Sequence, residues 1–560
     1  MRAVFGQLGT QTAAKGLAAL PAERHKEIAV RKRNSFLRSH RCSGTVPAMK
    51  SHRHRYEGLR WTLYYGTYSG IEKFALEELQ AFVQDYLPYV IECRLASAPA
   101  NTEPEHRLLI GTAASNPMLA AVLAEGRLAR PTAPEGFSYA VLTGADKAAP
   151  KTIAIAGFDS KGVLNGVVDF CTKAACRHEL GGLALNRPRV AFDSLGSFDA
   201  QRMAFHDGPL ATPLFAAAEA PVIEHRGLWT WGYVVYDYRR HLDNMARLKM
   251  NMLVLWNDVV PLNIAEIITY AHLRGIKMIA GFHWGWGIPE LSLVNPDHLK
   301  QVRKQVLDDY ETHYRDTGFD GIYFQTATEH SDLTLGGRTI AAAACHWVND
   351  IGRALLERHP DLVIQFGLHA TSIMGNYMDL QPLDPRIQII WEDAGALPYA
   401  YLPKLELPSD SHLSKQGVGT FEETLAYSLK LASFRGSSGF GLCPKGWGNI
   451  DWAHEFENHH EFVLGCRNRP WIERRLADKH DWWSRINRDW IPRYEPAARF
   501  YAEIRKVCKG PITAVGLVED GLFEAAIQPS LAAFAETLWN PNRSGQELHQ
   551  LGSSSYFTHL

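Results

Sequence analysis

Phe319-Asp-Gly-Ile-Tyr-Phe-Gln-Thr-Ala-Thr-Glu-His-Ser-Asp332 is the stretch that decides how this chain folds. Residues 321–326 read as a buried strand, and Glu329 follows just past its carboxyl end. Similar strand ends occur at 227–232 (GLWTWG), 252–258 (MLVLWND), 277–286 (KMIAGFHWGW) and 387–393 (IQIIWED), and a helical stretch separates each from the next. Strands alternating with helices argue for parallel βαβ units. When such units close into a barrel, functional groups gather at the carboxyl ends of the strands.

Working outward, helical spacing is expected over 238–249, 264–274, 298–317, 339–358 and 421–434. Further strands are expected at 361–366 and 439–443, with 462–465 (FVLG) as the candidate for the eighth. After Trp471 the pattern is helical, with Trp482, Trp483, Ile486 and Trp490 on one buried face. Upstream, strands at 60–66, 106–111, 137–143 and 152–156 interleave with helices over 71–86, from Pro117 and from Ser160. The expected fold class is α/β: a small N-terminal α/β domain, a (β/α)8 TIM barrel and a C-terminal helical region. The expected boundaries are 1–56 for a basic tail, 57–200 for the N-terminal domain, 201–470 for the barrel and 471–560 for the helical region.

Bulk properties exclude several classes. Hydrophobic residues at 46% and charged residues at 21% are ordinary for a globular chain. Formal net charge is −1, which favours neither nucleic acid nor an anionic membrane as partner. Residues 1–56 nonetheless carry 12 Lys/Arg against Glu23 and Glu27, so the rest of the chain is net acidic. The tail has no periodic apolar pattern and reads as a solvated arm or as sequence ahead of a start at Met49. Eight scattered cysteines form no disulfide framework, and Cys171 and Cys176 are too far apart for a CxxC pair. No apolar run approaches the ~20 residues of a membrane helix, and no compact apolar core marks a secretory signal. Cytoplasmic residence is the default expectation. The turn at 157–166 lacks both GxGxxG and the Lys-Ser/Thr pair of a P-loop, so no nucleotide is expected. No HxH or HExxH spacing supports a metal, and no cofactor is expected.

The chemistry-bearing residues cluster at the expected strand ends. Cleaving a glycosidic bond takes a proton donor and a second carboxyl facing the oxocarbenium-like centre. Glu329 follows an apolar strand interior, a setting that raises a carboxyl pKa by desolvation, and is the candidate donor. Glu392 and Asp393 close the sixth strand; at least one is expected to act opposite Glu329, and the sequence does not choose between them. A separation of roughly 6–10 Å implies inversion and one nearer 5 Å retention. Trp231, Trp256, Trp284 and Trp447 are candidate sugar platforms, because aromatic faces stack on the C–H faces of sugar rings. Asn257, Asp258, His283, His369 and Lys445 are candidate hydrogen-bonding or ionic partners of the substrate. The absence of GxSxG argues against a serine-hydrolase triad.

Two longer signals carry a resemblance. Thr152-Ile-Ala-Ile-Ala-Gly-Phe-Asp-Ser-Lys-Gly-Val-Leu-Asn-Gly166 is one; His225-Arg-Gly-Leu followed by His241-Leu-Asp-Asn-Met-Ala-Arg-Leu-Lys-Met-Asn-Met-Leu-Val-Leu-Trp256 is the other. They resemble the end of the N-terminal domain and the opening of the barrel in glycoside hydrolase families 20, 67, 84 and 115. The resemblance implies a glycoside hydrolase acting on an oligosaccharide or glycoside. An acid after the fourth strand with carboxylates further on resembles family 67, which implies an inverting, α-glucuronidase-like exo-enzyme. The alternatives are a β-N-acetylhexosaminidase-like hydrolase and a non-catalytic carbohydrate-binding barrel. The chain departs from family 20 in having Thr328 rather than Asp before Glu329, and it lacks the adjacent aspartates of family 84.

Overall fold

The computed structural model describes residues 59–87, 89–99, 101–142, 149–180, 216–281, 284–285, 288–325, 332–369, 373–392, 421–444, 447, 460–491, 494–518, 523–553 and 557. The N-terminal domain is a six-stranded sheet in the order β2-β1-β3-β5-β4-β6. Its strands are β1 (Trp61–Tyr65), β2 (Glu92–Leu95), β3 (His106–Thr112), β4 (Phe137–Leu142), β5 (Thr152–Gly157) and β6 (Ala216–Glu219). The first three and β5 run parallel, and β4 lies antiparallel between β5 and β6. Helices α1 (Gly70–Gln84), α2 (Pro117–Ala124) and α3 (Ser160–Leu180) cover it. Because β6 belongs to this sheet, the N-terminal domain reaches to Glu219, past the expected boundary at residue 200.

The second layer system is a closed parallel barrel of eight strands. They are β7 (His225–Trp231), β8 (Met252–Trp256), β9 (Lys277–Gly281), β10 (Gly321–Gln325), β13 (Val363–Leu368), β14 (Ile387–Trp391), β15 (Phe440–Leu442) and β16 (Ile512–Leu517). A small hairpin, β11 (Thr334–Leu335) with β12 (Arg338–Thr339), precedes the helix after β10. The helices are α4 (Tyr238–Arg247), α5 (Ile264–His272), α6 (Pro296–Asp309), α7 (Ile340–Arg358) and α8 (Phe421–Ser433), then α9 (Arg469–Trp490), α10 (Tyr494–Val507), α11 (Pro529–Trp539) and α12 (Gly545–Ser553). Side-chain caps start several of them. Asp237 accepts from the Arg239 and Arg240 amides, Asn295 from Asp297, Thr339 from Ala342 and Asn468 from Trp471. Each such cap satisfies an amide that the helix itself leaves open.

One strand expectation fails. Residues 462–465 form no strand, and the barrel is closed by β16, which pairs with β15 on one side and β7 on the other. The barrel therefore extends past the expected end at 470, and the helices α9 and α10 lie within its last βα connection. The expected helix to residue 317 instead gives way to one wide turn at Tyr310–Tyr314.

The N-terminal domain seats against the turns that precede β8 and β9, which is the amino-terminal end of the barrel. Lys161 of α3 donates to the Met250 and Arg274 carbonyls, each at 2.9 Å, and burial lowers its pKa to about 8. Lys249 pairs with Asp169 at 3.2 Å and with Glu536 of α11 at 2.7 Å. Trp539 of α11 stacks on Phe137 of β4, and its Nε1 donates to Glu219 at 2.8 Å. Paired charges and donors offset the desolvation that such burial costs. The opposite, carboxyl-terminal end of the barrel carries Trp231, Trp256, Asn257, Asp258, His369 and Glu392 of the strand-end residues singled out above.

Candidate active site

In a strand successive side chains alternate between faces, so parity decides which residues enter the barrel. Trp229, Met252, Val254, Trp256, Ile279, Tyr323, Ile390, Cys443, Val515 and Leu517 form one buried cluster inside it, with Trp231 and Val363 against its edge. The intervening residues, such as Phe324 and Phe366, face the helices. Parallel strands buried on both faces are normally apolar throughout. This lumen breaks that rule on three adjacent strands: Gln325 follows Tyr323 on β10, Gln365 lies on β13, and Gln388 lies on β14. Lower in the lumen Gln365 donates to Gln388 at 3.1 Å, and Gln388 to Thr513 of β16 at 2.7 Å.

Glu392 leaves β14 directly after Trp391 and is 4% exposed. Its Oε1 accepts from the Tyr323 hydroxyl at 2.5 Å and from the Gln325 side-chain amide. Its Oε2 lies 3.2 Å from Nε2 of His369, the residue that follows β13. Burying a carboxylate without partners costs several kcal/mol at least; here donors from β10 and an imidazole from β13 converge on it. The arrangement needs a gap in the wall. Gly367 supplies it, since a Cβ there would stand 2.4 Å from the Tyr323 hydroxyl and 2.6 Å from Glu392 Oε1.

Across the lumen, β7 and β8 build an aromatic wall. Trp229 meets Trp231 edge-on at 5.1 Å and stacks against Trp256 at 5.8 Å; Trp231 meets Trp256 at 5.6 Å. Trp231 is half-buried and lies parallel to Tyr233 at 6.0 Å, which makes it the member of the wall nearest the mouth. Trp256 is enclosed, its ring filling the space that Gly281 leaves on the neighbouring strand. Tyr323 joins the two sides, with its ring 6.0 Å from Trp229 and 6.4 Å from Trp256 and its hydroxyl on Glu392.

Asn257 and Asp258 follow β8 and are half-buried. Asn257 Oδ1 occupies the place of a side chain at Gly232, which ties the first two strand-end loops together. Asp258 lies toward Tyr314, whose phenol is pushed up by burial first and then by the charges of Asp309 and Asp258. Two expected sugar platforms are elsewhere. Trp284 is 1% exposed and stacks on Phe324 at 3.6 Å, on the helix side of β10, so neither ring face is open to a sugar. Trp447 is likewise enclosed: it stacks on Trp490 of α9 at 3.8 Å, and its Nε1 donates to Ser530 at 3.2 Å. Glu329, Asp393, His283 and Lys445 lie outside the described residues. Tyr323 and Gln325 were not singled out from sequence, although two polar-tipped residues at i and i+2 on an expected buried parallel strand are a legible signal. Among the described residues no group of His, Cys, Asp and Glu is arranged to hold a metal ion.

No protein-family model matches the chain, and no curated protein matches it. Among solved structures it is similar to a GH138 enzyme targeting pectin rhamnogalacturonan II, at 12% identity and TM-score 0.45, covering 87% of this chain and 65% of that one. It is similar to the β-N-acetylhexosaminidase from Bacteroides fragilis NCTC 9343, at 10% identity and TM-score 0.41, covering 88% of each chain. It is also similar to the GH20 β-N-acetylhexosaminidase from Streptomyces coelicolor A3(2), at 11% identity and TM-score 0.43, covering 89% and 94%. The chain thus spans 65% of the length of the first of these. Likenesses this distant assign no activity, which has to come from the site's own residues. No helix among the described residues is long and apolar enough to cross a membrane.

Proposed function

We propose that the chain is a glycoside hydrolase in which Glu392 is the carboxylate that faces the reacting sugar and Glu329 the proton donor. The observation that carries this is the buried Glu392 carboxylate, held by Tyr323, Gln325 and His369 at the carboxyl-terminal end of the barrel and facing an aromatic wall. A carboxylate held by donors suits accepting a proton from water or steadying positive charge at the anomeric carbon. Glu329 then delivers the proton to the departing oxygen. The hydrogen bonds that Glu392 accepts support its candidacy for this role; Asp393 lies outside the described residues.

Of the finer readings, the β-N-acetylhexosaminidase-like one fits better than the α-glucuronidase-like one. A neutral N-acetylated sugar can stack on Trp231 across the lumen from Glu392, whereas a uronate would bring a further carboxylate into the same lumen. With Thr328 in the place where family 20 resemblance puts an aspartate, Glu392 is the candidate for the second carboxyl. The test is a panel of 4-nitrophenyl glycosides and uronides assayed with wild type and Glu392→Gln. The expected result is release of 4-nitrophenol from the N-acetyl-β-glucosaminide, with kcat lowered about 10²–10⁴-fold in the variant. Sugar binding with no turnover of any member would overturn the hydrolase reading in favour of a binding barrel. Turnover of a uronide alone would overturn the finer one.

A further inference from the structure

We infer that Tyr323 and Gln325 are positioning residues that clamp one oxygen of Glu392 and fix the direction of its carboxylate. The inference rests on the hydrolase reading for its catalytic meaning, though not for its geometry. Both side chains come from alternate positions of β10, so a single straight strand aims two donors at the same atom, Oε1. Tyr323 has little freedom. Its ring meets the Trp229 and Trp256 rings edge-on, and its hydroxyl occupies the notch left by Gly367. The donor is therefore in place before any substrate arrives, which is the condition under which a fixed dipole is most effective.

Tyr323 of β10 and His369 after β13 are among the groups that hold Glu392. Deleting the phenol removes one of the two donors on Oε1 and leaves the carboxylate freer to turn, so kcat should fall roughly 10–150-fold with KM little changed.

The test reads the carboxyl group directly. Infrared difference spectra of the full chain at neutral pH, taking each protein minus the same protein carrying Glu392→Gln, isolate the Glu392 carboxyl band. Tyr323→Phe should shift that band, because one donor to Oε1 is gone, with Tm close to wild type. Gln325→Leu, which removes the other donor, carries the same test if Tyr323→Phe does not fold. With 4-nitrophenyl N-acetyl-β-glucosaminide as probe, kcat should fall much more than KM rises. An unshifted band in folded variants would overturn the clamp. A shifted band in a protein that cleaves no member of the panel would uphold the clamp and sink the hydrolase reading.

Discussion

Gly367→Ala adds one methyl group at the point where β10, β13 and β14 meet. The φ of Gly367 lies outside the left-handed region, so alanine is compatible with the backbone and the effect is steric. The methyl would stand 2.4 Å from the Tyr323 hydroxyl and 2.6 Å from Glu392 Oε1, where ordinary contacts require roughly 1 Å more. Tyr323 cannot retreat, because Trp229 and Trp256 flank its ring. The 2.5 Å hydrogen bond to Glu392 is what yields. A bond to a charged group is worth about 1.5–3 kcal/mol; if that is lost in the transition state, kcat falls roughly 10–150-fold. Overpacking adds about 1–3 kcal/mol to the folded state, which in a unit of this size lowers Tm by only about 1–3 °C. The assay is initial rate on a cleaved 4-nitrophenyl glycoside, with Tm by calorimetry. Gly375→Ala, where nothing lies within 4 Å, serves as the control. Wild-type kcat in Gly367→Ala would refute the notch, as would a kcat loss equalled by Gly375→Ala.

Two tryptophans that look alike in sequence should part company on mutation. Trp231→Ala should raise KM roughly three- to tenfold with Tm little changed, and Trp284→Ala should cost about 3–5 kcal/mol of stability with KM unaltered in the folded fraction; calorimetry and steady-state kinetics on both variants separate them. A pH effect is expected at the junction of the N-terminal domain and the barrel. Burial would raise the Glu135 carboxyl, but Arg226 and Lys161, with the Asn251 amide, outweigh it and hold it below its ordinary value of 4.5. A carboxyl depressed in the folded state contributes stability above its unfolded pKa and loses it as pH falls through the folded one. The Tm gap between wild type and Glu135→Gln should be constant near neutrality and close below about pH 4.5; a gap independent of pH down to 3 would show that the pairing is not electrostatic.

Seven barrel strands are legible as short apolar runs that alternate with helix signals, most of them closed by Trp, Asp, Glu or His. The eighth is not. Ile512–Leu517 (ITAVGL) carries the same apolar signal but follows the long connection through α9 and α10, whereas 462–465, the sequence candidate, lies nearer to β15 in the chain. The site was half legible for a related reason. Within a strand, parity gives direction, which is why Trp231 and Trp256 fall on the lumen side. Beyond a strand end parity lapses, so proximity to an end could not tell Trp284 or Trp447, which pack against Phe324 and Trp490, from a sugar platform. Charged residues past a strand end are the conspicuous sequence signal, whereas the donors that orient Glu392, Tyr323 and Gln325, sit inside the strand.

The seam between β16 and β7 bears on how the molecule is made. Thr230 donates to the Val518 carbonyl at 2.6 Å across 288 residues of chain. During synthesis the N-terminal helices and much of the sheet can form early, but seven barrel strands must wait for the last one with bare edges at β7 and β15. At about 5–20 residues per second, the 70-odd residues from β15 to the end of β16 take roughly 4–15 seconds to appear. Exposed parallel edges of that kind invite pairing with the wrong strand, so the growing chain passes through its most adhesive state just before completion. A chain ending between Leu442 and Ile512 would keep that seam open, with β7 and β15 both unpaired on one side.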